Sequence, residues 1–295
     1  MDSAGVAVRA SGPRVTEEWR ADPVPVRHRD ERLPSVIGRH ARLELAFAYR
    51  HGGTVLAHAY AEPPFRVGRC FPEGDGVHMI LTSSAPGVFG RDHFQHIVRV
   101  GRGARVRLTS QSALQVHPSP DGATAHVRSS YHVDEDAHLY CHWHPQIPFA
   151  DARIEQRISV NIVGDGFLYW SDALMSGRQA RGERWKFASL AHEIAVCRDG
   201  SLEYLERYRI EPSELAVSRT WAAGDASYLG TTLMTGRPIE PGVAERLHLE
   251  LGSLSGLRAA ADRLDDRVLL VRLLSVSGAA FHEARRRIRD CRGSR

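Results

Sequence analysis

Cysteine pairs, lysine and long apolar segments are scarce in this 295-residue chain. The four cysteines, at positions 70, 141, 197 and 291, form no CxxC pair, so the sequence indicates neither a disulfide framework nor a zinc ribbon. No apolar run approaches the roughly 20 residues that a membrane-spanning helix needs. The first residues, MDSAGVAVRASGPR, lack the apolar segment of a secretory signal. We therefore expect a cytoplasmic protein with no membrane partner.

Lysine is the scarcest charged residue, because Lys186 is the single lysine among 39 Lys and Arg residues. The arginines are spread along the chain and interleaved with acidic residues. Nucleic-acid binding is usually indicated by a basic patch with stacking aromatic side chains, and the sequence shows neither. We therefore expect no nucleic-acid partner.

Motifs of the common enzyme classes are also missing. The chain has no GxxxxGK[ST] loop, no GxSxG elbow and no GxGxxG fingerprint. Asp92, Asp151, Asp172 and Glu183 could supply catalytic acids, but no spacing pairs them as a general acid and base. This pattern favours a binding or carrier protein over an enzyme.

Strand patterns dominate what the sequence does contain. Residues 1–34 combine prolines and charges, which predicts a disordered tail, and residues 35–295 are predicted to form a single β-rich domain. Turn centres recur every 30 to 34 residues, near Gly103, Glu135, Asp165 and Asp199. Such glycine and aspartate turns are typical of antiparallel hairpins. We predict a mainly β fold of layered antiparallel hairpins, in a sandwich or stacked sheets, rather than a solenoid, because the copies match weakly.

A few helices are expected in the C-terminal part. Leucine and alanine at 254, 257, 261 and 264 follow helical spacing. Residues 242–250 indicate a strand or irregular segment, and residues 267–275 a buried strand. Residues 279–291 predict a terminal amphipathic helix with a basic face.

The segment HLYCHWH, residues 138–144, is the most metal-like cluster. His142 and His144 would share one face of a strand and, with a third ligand, could bind a divalent ion. A stand-alone β-sandwich metal-dependent enzyme is therefore one alternative, and a metal-free small-ligand-binding module is another. A cupin-like site is disfavoured because Pro145 and Pro148 interrupt the strand. The simplest interpretation of the histidines is a polar outward face.

The segment SDALMSGRQARGERWKF, residues 171–187, carries two glycines within a charged stretch. Gly177 and Gly182 permit a tight turn that would bring Arg178 and Glu183 together. We expect a structural ion pair there, either as part of a built polar site or as a weak pair on a surface hairpin.

Four stretches taken in order carry a family resemblance. They are APGVFGRD (85–92), LTSQSA (108–113), CHWHPQIPFADA (141–152) and SGRQARGERWKF (176–187). The set resembles the urease accessory protein D family, called H in some organisms. The resemblance implies an all-β core with a few helices and a non-catalytic scaffold. It implies that this scaffold binds accessory protein F and, with accessory GTPase G, docks on apo-urease. It also implies transient nickel in an internal polar channel and no tightly bound cofactor.

The resemblance also assigns expected nickel-transit residues by position. They are Asp92 in the glycine-bearing loop, Glu183 in the GRxxxGE motif, Thr109, Ser110 and Ser112 in the hydroxyl-rich strand, and His144. His144 stands where the family usually has an acid. Because imidazole is a better nickel ligand than carboxylate, this replacement would preserve a transit role.

Overall fold

The structure of the protein is a computed structural model that describes residues 6–8, 38–214, 217 and 222–291. The disordered tail predicted for residues 1–34 lies outside the described residues, apart from the short strand Val6–Val8. The division into this tail and a single domain stays a prediction. No helix among the described residues has the length and apolar character needed to cross a membrane.

Two β-sheets that pack face to face contain the strands of the described chain. The first sheet holds β1 (Val6–Val8), β2 (His40–Arg50), β3 (Gly53–Ala61), β7 (His93–Val100), β10 (Ala125–Val133), β13 (Arg153–Ile162), β15 (Ser189–Arg198) and β16 (Ser201–Ile210). The second holds β4 (Phe65–Arg66), β5 (Cys70–Glu73), β6 (Gly76–Ser83), β8 (Arg105–Ser110), β9 (Leu114–Val116), β11 (His138–His142), β12 (Gln146–Pro148), β14 (Phe167–Met175), β17 (Tyr228–Thr235), β18 (Leu257–Arg263) and β19 (Leu269–Ser275).

The centre of the fold is a series of coils that each contribute one strand to each sheet. The pairs β7 and β8, β10 and β11, and β13 and β14 follow this pattern. Equivalent strands of successive coils pair in parallel and in register, with Val98 opposite Tyr131 and Tyr131 opposite Val160 in the first sheet. In the second sheet, Cys141 lies opposite both Leu108 and Trp170. The centre is therefore stacked as in a solenoid.

The predicted mainly β fold with stacked sheets is confirmed, but the pairing differs from the prediction. Antiparallel pairing is wrong for the turns near positions 103, 135 and 165, because the strands on either side of each turn lie in different sheets. The turn near Asp199 does join an antiparallel pair, β15 and β16. The physical reason lies in burial: β14 is buried on both faces, and strands covered on both faces are typical of parallel sheets.

The C-terminal part confirms one predicted helix and corrects two other segments. Helix α2 (Gly278–Asp290) coincides with the predicted terminal helix, and the Ser277 hydroxyl caps it by accepting from the Ala280 N–H at 3.3 Å. Helix α1 (Val243–Gly252) forms where a strand or irregular segment was expected. Strand β18 replaces the helix predicted from the spacing of leucine and alanine, because its backbone pairs with β19.

The outer face of the second sheet is covered by the two helices. Phe281, Ala284 and Ile288 of α2 pack with side chains of β14, β17 and β19 in one apolar cluster. A second cluster fills the space between the sheets. The second sheet thus separates a helix-covered outer face from an interior face that looks toward the first sheet.

Candidate functional site

A cavity of about 240 Å³ lies between the two sheets. It forms where inward-facing positions change from apolar to polar side chains, while the positions before and after them on the same strands stay apolar. On β7, for example, His96 stands between Phe94 and Val98. The first sheet contributes the polar lining groups of His96, Ser129, Gln156, His192 and Tyr208, and the second sheet with its loops contributes those of Ser110, Ser112, His144 and Asp172.

The charge of the lining contrasts with the composition of the chain. Asp172 is the only carboxylate among the described residues that line the cavity, and no arginine or lysine is among them, although the chain has 39 Lys and Arg residues. Burial lowers the pKa of His96 to about 4, so this imidazole is neutral at neutral pH. Burial, followed by the nearby Arg285 guanidinium, also lowers the pKa of His144. The lining therefore offers lone pairs and one negative charge, which suits a cation.

The hydroxyl-rich strand contributes to the cavity from one of its faces. Ser110 and Ser112 line the cavity, and the Ser110 hydroxyl accepts a hydrogen bond from the His144 backbone N–H at 3.0 Å. Thr109 lies on the opposite face of β8, where its hydroxyl is 2.9 Å from Nε2 of His78. Alternation along the strand therefore separates Thr109 from the two serines.

Asp92 holds the loop of residues 84–92 closed and does not line the cavity. Its carboxylate is buried and accepts hydrogen bonds from the Arg39 backbone N–H at 2.9 Å and the Phe89 N–H at 2.8 Å. The Arg39 guanidinium forms an ion pair with the same carboxylate and donates to the Gly87 carbonyl at 2.9 Å. Because Gly87 lines the cavity, Asp92 acts on the cavity wall through Arg39.

Glu183 and Arg178 form an ion pair across the turn that contains the short 3₁₀ helix Gln179–Arg181. The Arg178 Nε donates to the carboxylate at 2.7 Å, and the Ala150 backbone N–H donates to it at 3.2 Å. The hydrogen bond from Arg178, reinforced by Ala150, lowers the pKa of Glu183. Glu183 is not among the cavity-lining residues, so this carboxylate is committed to the turn.

The turn geometry explains why the sequence needs glycine before Arg178. Gly177 has φ of +129°, and a Cβ atom there would lie 2.0 Å from the Glu183 carbonyl oxygen. The Arg178 guanidinium also stacks 3.8 Å from the centre of the Phe149 ring. The ion pair is therefore part of the packing between the turn of residues 177–183 and the segment that contains Phe149 and Ala150.

His142 and His144 lie in different surroundings. His142 is the last residue of β11, and its ring lies 6.4 Å from the ring of Tyr169 on the helix-covered face. Burial and then the Arg285 guanidinium lower the pKa of His142 to about 3. The strand ends before Pro145, so His144 leaves the shared face and lines the cavity. Among the described residues, no group of three His, Cys, Asp or Glu side chains could hold a metal ion.

Sequence reasoning missed several lining residues. His96, Gln156 and His192 each occupy one inward position of a strand whose other inward positions are apolar. Ser129 lies opposite His96 and Ile158, whereas Gln156 lies opposite Val127 and His192, so the polar inward position shifts by two residues between β10 and β13. Polar residues at matching positions of neighbouring strands would have been the signal. The sequence analysis predicted antiparallel hairpins, so it did not compare β7, β10, β13 and β15 in the parallel register that places their inward-facing residues side by side.

Comparison with known proteins identifies one family. The sequence model of the family described as UreD urease accessory protein matches residues 39–293. A "Urease accessory protein UreD" of Deinococcus radiodurans is 30% identical over 273 residues, covering 87% of this chain and 92% of the relative. The protein of the same name from Lysinibacillus sphaericus is 25% identical over 254 residues, covering 85% and 94%. That of Ralstonia nicotianae is 30% identical over 265 residues, covering 85% and 88%.

Proposed function

Because the chain belongs to the UreD family of urease accessory proteins, we propose that it is a non-catalytic scaffold that assists nickel insertion into apo-urease. The proposed partners are accessory protein F, accessory GTPase G and apo-urease, and the proposed location is the cytoplasm. In this role the protein retains no metal and passes nickel on through the cavity between its sheets.

The charge of the cavity lining is the observation that carries the proposal. A passage for a divalent cation needs lone pairs and little positive charge, since a guanidinium would repel the ion. Among the residues that the structure describes, the lining has one carboxylate, three imidazoles and no arginine or lysine. The chain has 38 arginines, so the absence of arginine among the described lining residues does not follow from composition alone.

Weak binding is also required for passage. A closed set of several ligands would retain the ion, whereas separated single ligands let it move from one to the next. The described residues contain no group of three candidate ligands, and the imidazoles come from different segments: His96 from β7, His192 from β15 and His144 from the loop after β11. Among the residues expected to serve transit, Ser110, Ser112 and His144 line the cavity, so they stay candidates for direct contact. Asp92 and Glu183 act at other places, as holders of the surrounding loops.

The alternative of a metal-dependent enzyme using His142 and His144 has less support. The two imidazoles do not converge, because His142 lies under α2 on the outer face of the second sheet and His144 lies at the cavity. A catalytic metal site needs about three protein ligands and an open position.

Blocking the cavity tests the proposal. Ser112 is exposed and lines the cavity, so Ser112→Trp should obstruct its mouth without disturbing the core. We expect the variant to bind the partners but to lose most activation of apo-urease with accessory protein F, accessory GTPase G, GTP and Ni²⁺. Ser201→Trp, at the exposed first residue of β16, is the control and should activate normally.

The two halves of the proposal are measured separately. Pull-down with accessory proteins F and G reports scaffold assembly, and recovered urease activity reports nickel delivery. If Ser112→Trp assembles and activates urease as well as the unmodified chain, nickel does not pass through this cavity. If the unmodified chain fails to associate with the partners, the scaffold role is contradicted.

A further inference from the structure

Five side chains from distant parts of the chain form one stacked series, which we call the ring stack: Arg39, Phe89, His117, Phe149 and Arg178. The Phe89 and His117 ring centres are 4.1 Å apart, and the ring planes lie within 4° of each other. The His117 and Phe149 rings meet edge to face, with 4.9 Å between centres. The Arg39 guanidinium lies 5.1 Å from the Phe89 ring centre, and the Arg178 guanidinium lies 3.8 Å from that of Phe149. Both ends of the stack are therefore cation–π contacts.

The backbone explains why the three rings meet. Val88 pairs in parallel with Val116, and Val116 pairs in parallel with Pro148. Each ring residue follows one member of this row, so the three rings come from neighbouring segments at the same register position. Side chains at one register position lie side by side on the same face of parallel strands. The His117 backbone N–H also donates to the Val88 carbonyl at 2.8 Å, which fixes the first two segments together.

A carboxylate holds each end of the ring stack. Asp92 accepts from the Phe89 backbone N–H at 2.8 Å and forms an ion pair with the first guanidinium of the stack. Glu183 accepts from the Ala150 backbone N–H at 3.2 Å and forms an ion pair with the last guanidinium. Each carboxylate therefore binds both a guanidinium of the stack and the backbone next to a stacked ring.

His117 is the one member that contacts rings on both sides. Its Nε2 is also 3.4 Å from the Pro86 carbonyl oxygen, in the loop that carries Phe89. The side chain is half-buried and lies at the centre of the series. Removal of this ring would leave Phe89 and Phe149 each with a guanidinium but without the ring between them.

We propose that His117 is a positioning residue that couples the ion pair of Asp92 to the ion pair of Glu183. Residues with no shared partner and more than about 7–10 Å apart usually act independently, so a response of one ion pair to the other would identify the stack. Because Gly87 lines the cavity and its carbonyl accepts from Arg39 at 2.9 Å, the coupling extends from the turn of Glu183 to the cavity wall. The consequence for urease activation rests on the proposed function.

Hydrogen exchange of the Phe89 and Ala150 backbone amides, followed by ¹⁵N NMR on the full-length protein, tests the coupling. His117→Ala should accelerate exchange at both amides at least fivefold relative to the amides of β14. His117→Phe, which keeps a planar ring, should restore most of the protection. The control is His78→Ala, which removes another half-buried imidazole that contacts an aromatic ring outside the stack. This control should leave exchange at both amides unchanged.

A second substitution measures transmission along the stack. Glu183→Gln removes the charge that holds Arg178, and it should accelerate exchange of the Phe89 amide at least threefold in the unmodified chain. In the His117→Ala background, Glu183→Gln should leave exchange at Phe89 unchanged. A purely local role of His117 would give Glu183→Gln no effect on Phe89 in either background, and that result would overturn the proposal. If His117→Ala fails to fold by circular dichroism, Glu183→Gln alone still decides, because unchanged exchange at Phe89 contradicts the coupling.

Urease activation separates this inference from the proposed function. With accessory proteins F and G, GTP and Ni²⁺, His117→Ala should activate apo-urease at least threefold more slowly, and His117→Phe should activate it nearly normally. Normal activation by His117→Ala would contradict the positioning role, while the Ser112→Trp experiment would still decide nickel passage. If His117→Phe is as slow as His117→Ala although its amide protection is restored, stacking does not position the cavity wall and the proposal is overturned.

Discussion

Replacement of Asp92 by asparagine should destabilise the protein even though the two side chains have nearly the same shape. The Asp92 carboxylate is 1% exposed. It accepts from the backbone N–H of Arg39 at 2.9 Å, from Nε of Arg39 at 3.1 Å and from the Phe89 N–H at 2.8 Å. Asparagine replaces one oxygen with an NH₂ group, so at least one of these donors would face another donor. The Arg39 guanidinium would also lose its negative partner.

The magnitude follows from the burial of the two partners. Removing one member of a buried ion pair costs about 3–5 kcal/mol, because the other charge stays buried without compensation. The Arg39 side chain is 31% exposed, so water restores part of its solvation. We therefore expect a loss of about 3 kcal/mol, which corresponds to a decrease in Tm of roughly 6–12 °C for a domain of this size.

Urea unfolding followed by far-UV circular dichroism, together with calorimetry, measures this loss. Asp165→Asn is the control, because this side chain is 75% exposed and has one long contact, 3.4 Å to Arg267. The control should unfold like the unmodified protein. If Asp92→Asn has the same unfolding midpoint as the control, the contacts of Asp92 with Arg39 and Phe89 do not stabilise the fold. Reduced urease activation with an unchanged midpoint would instead support a direct transit role for Asp92.

Three further substitutions test the turn, the pH dependence and the C-terminal helix. Gly177→Ala should lower the free energy of unfolding in urea by about 2–3 kcal/mol more than Gly182→Ala does, because of these two positions only Gly177 would place a Cβ against a backbone carbonyl, at 2.0 Å. Equal losses for the two variants would show that this close approach does not stabilise the turn. Burial and nearby arginines lower the pKa of His138 from 6.5 to about 4 in the folded protein. Between pH 6.5 and 4 the unfolded chain therefore binds a proton at His138 that the folded protein does not, and the free energy of unfolding falls as the pH falls. His138→Gln should reduce that fall by up to about 3 kcal/mol between pH 7 and 4, and unfolding curves of identical pH dependence would refute this. Phe281→Ala, at a fully buried position of α2, should lower the free energy of unfolding by about 3–5 kcal/mol. Hydrogen exchange of the α2 backbone amides should increase in this variant. A loss below about 1 kcal/mol would show that Phe281 does not hold α2 against the sheet.

The strand content and the terminal helix could be predicted from the sequence because both are written in local patterns. The alternation in β2 and the apolar run of β19 mark half-buried and buried strands. The apolar stripe of α2, with Phe281, Ala284 and Ile288 on one side, marks an amphipathic helix. The pairing of Arg178 with Glu183 was also predicted, since two glycines five residues apart restrict how the intervening chain can turn.

Strand pairing could not be obtained in the same way. A short turn between two strands is compatible with a hairpin in one sheet and with a crossing between two sheets, and the local sequence does not distinguish them. The segment of β18 shows the same limit, because Leu257 and Ala261 fit a helical pattern but the backbone pairs with β19. In both cases hydrogen bonds to a distant strand decided the result.

The sequence by itself determined that this protein is a β-rich member of one family with polar residues distributed along its strands. The tertiary structure alone decided which of those residues share a space. Asp172 and His192 are twenty positions apart and lie on different sheets, so their approach depends on how the coils stack. Asp92, which we predict as a nickel-transit residue, forms an ion pair with Arg39 and is not among the residues that line the cavity. The physical reason is that a carboxylate's role depends on which charge and how much water surround it, and both are set by distant parts of the chain.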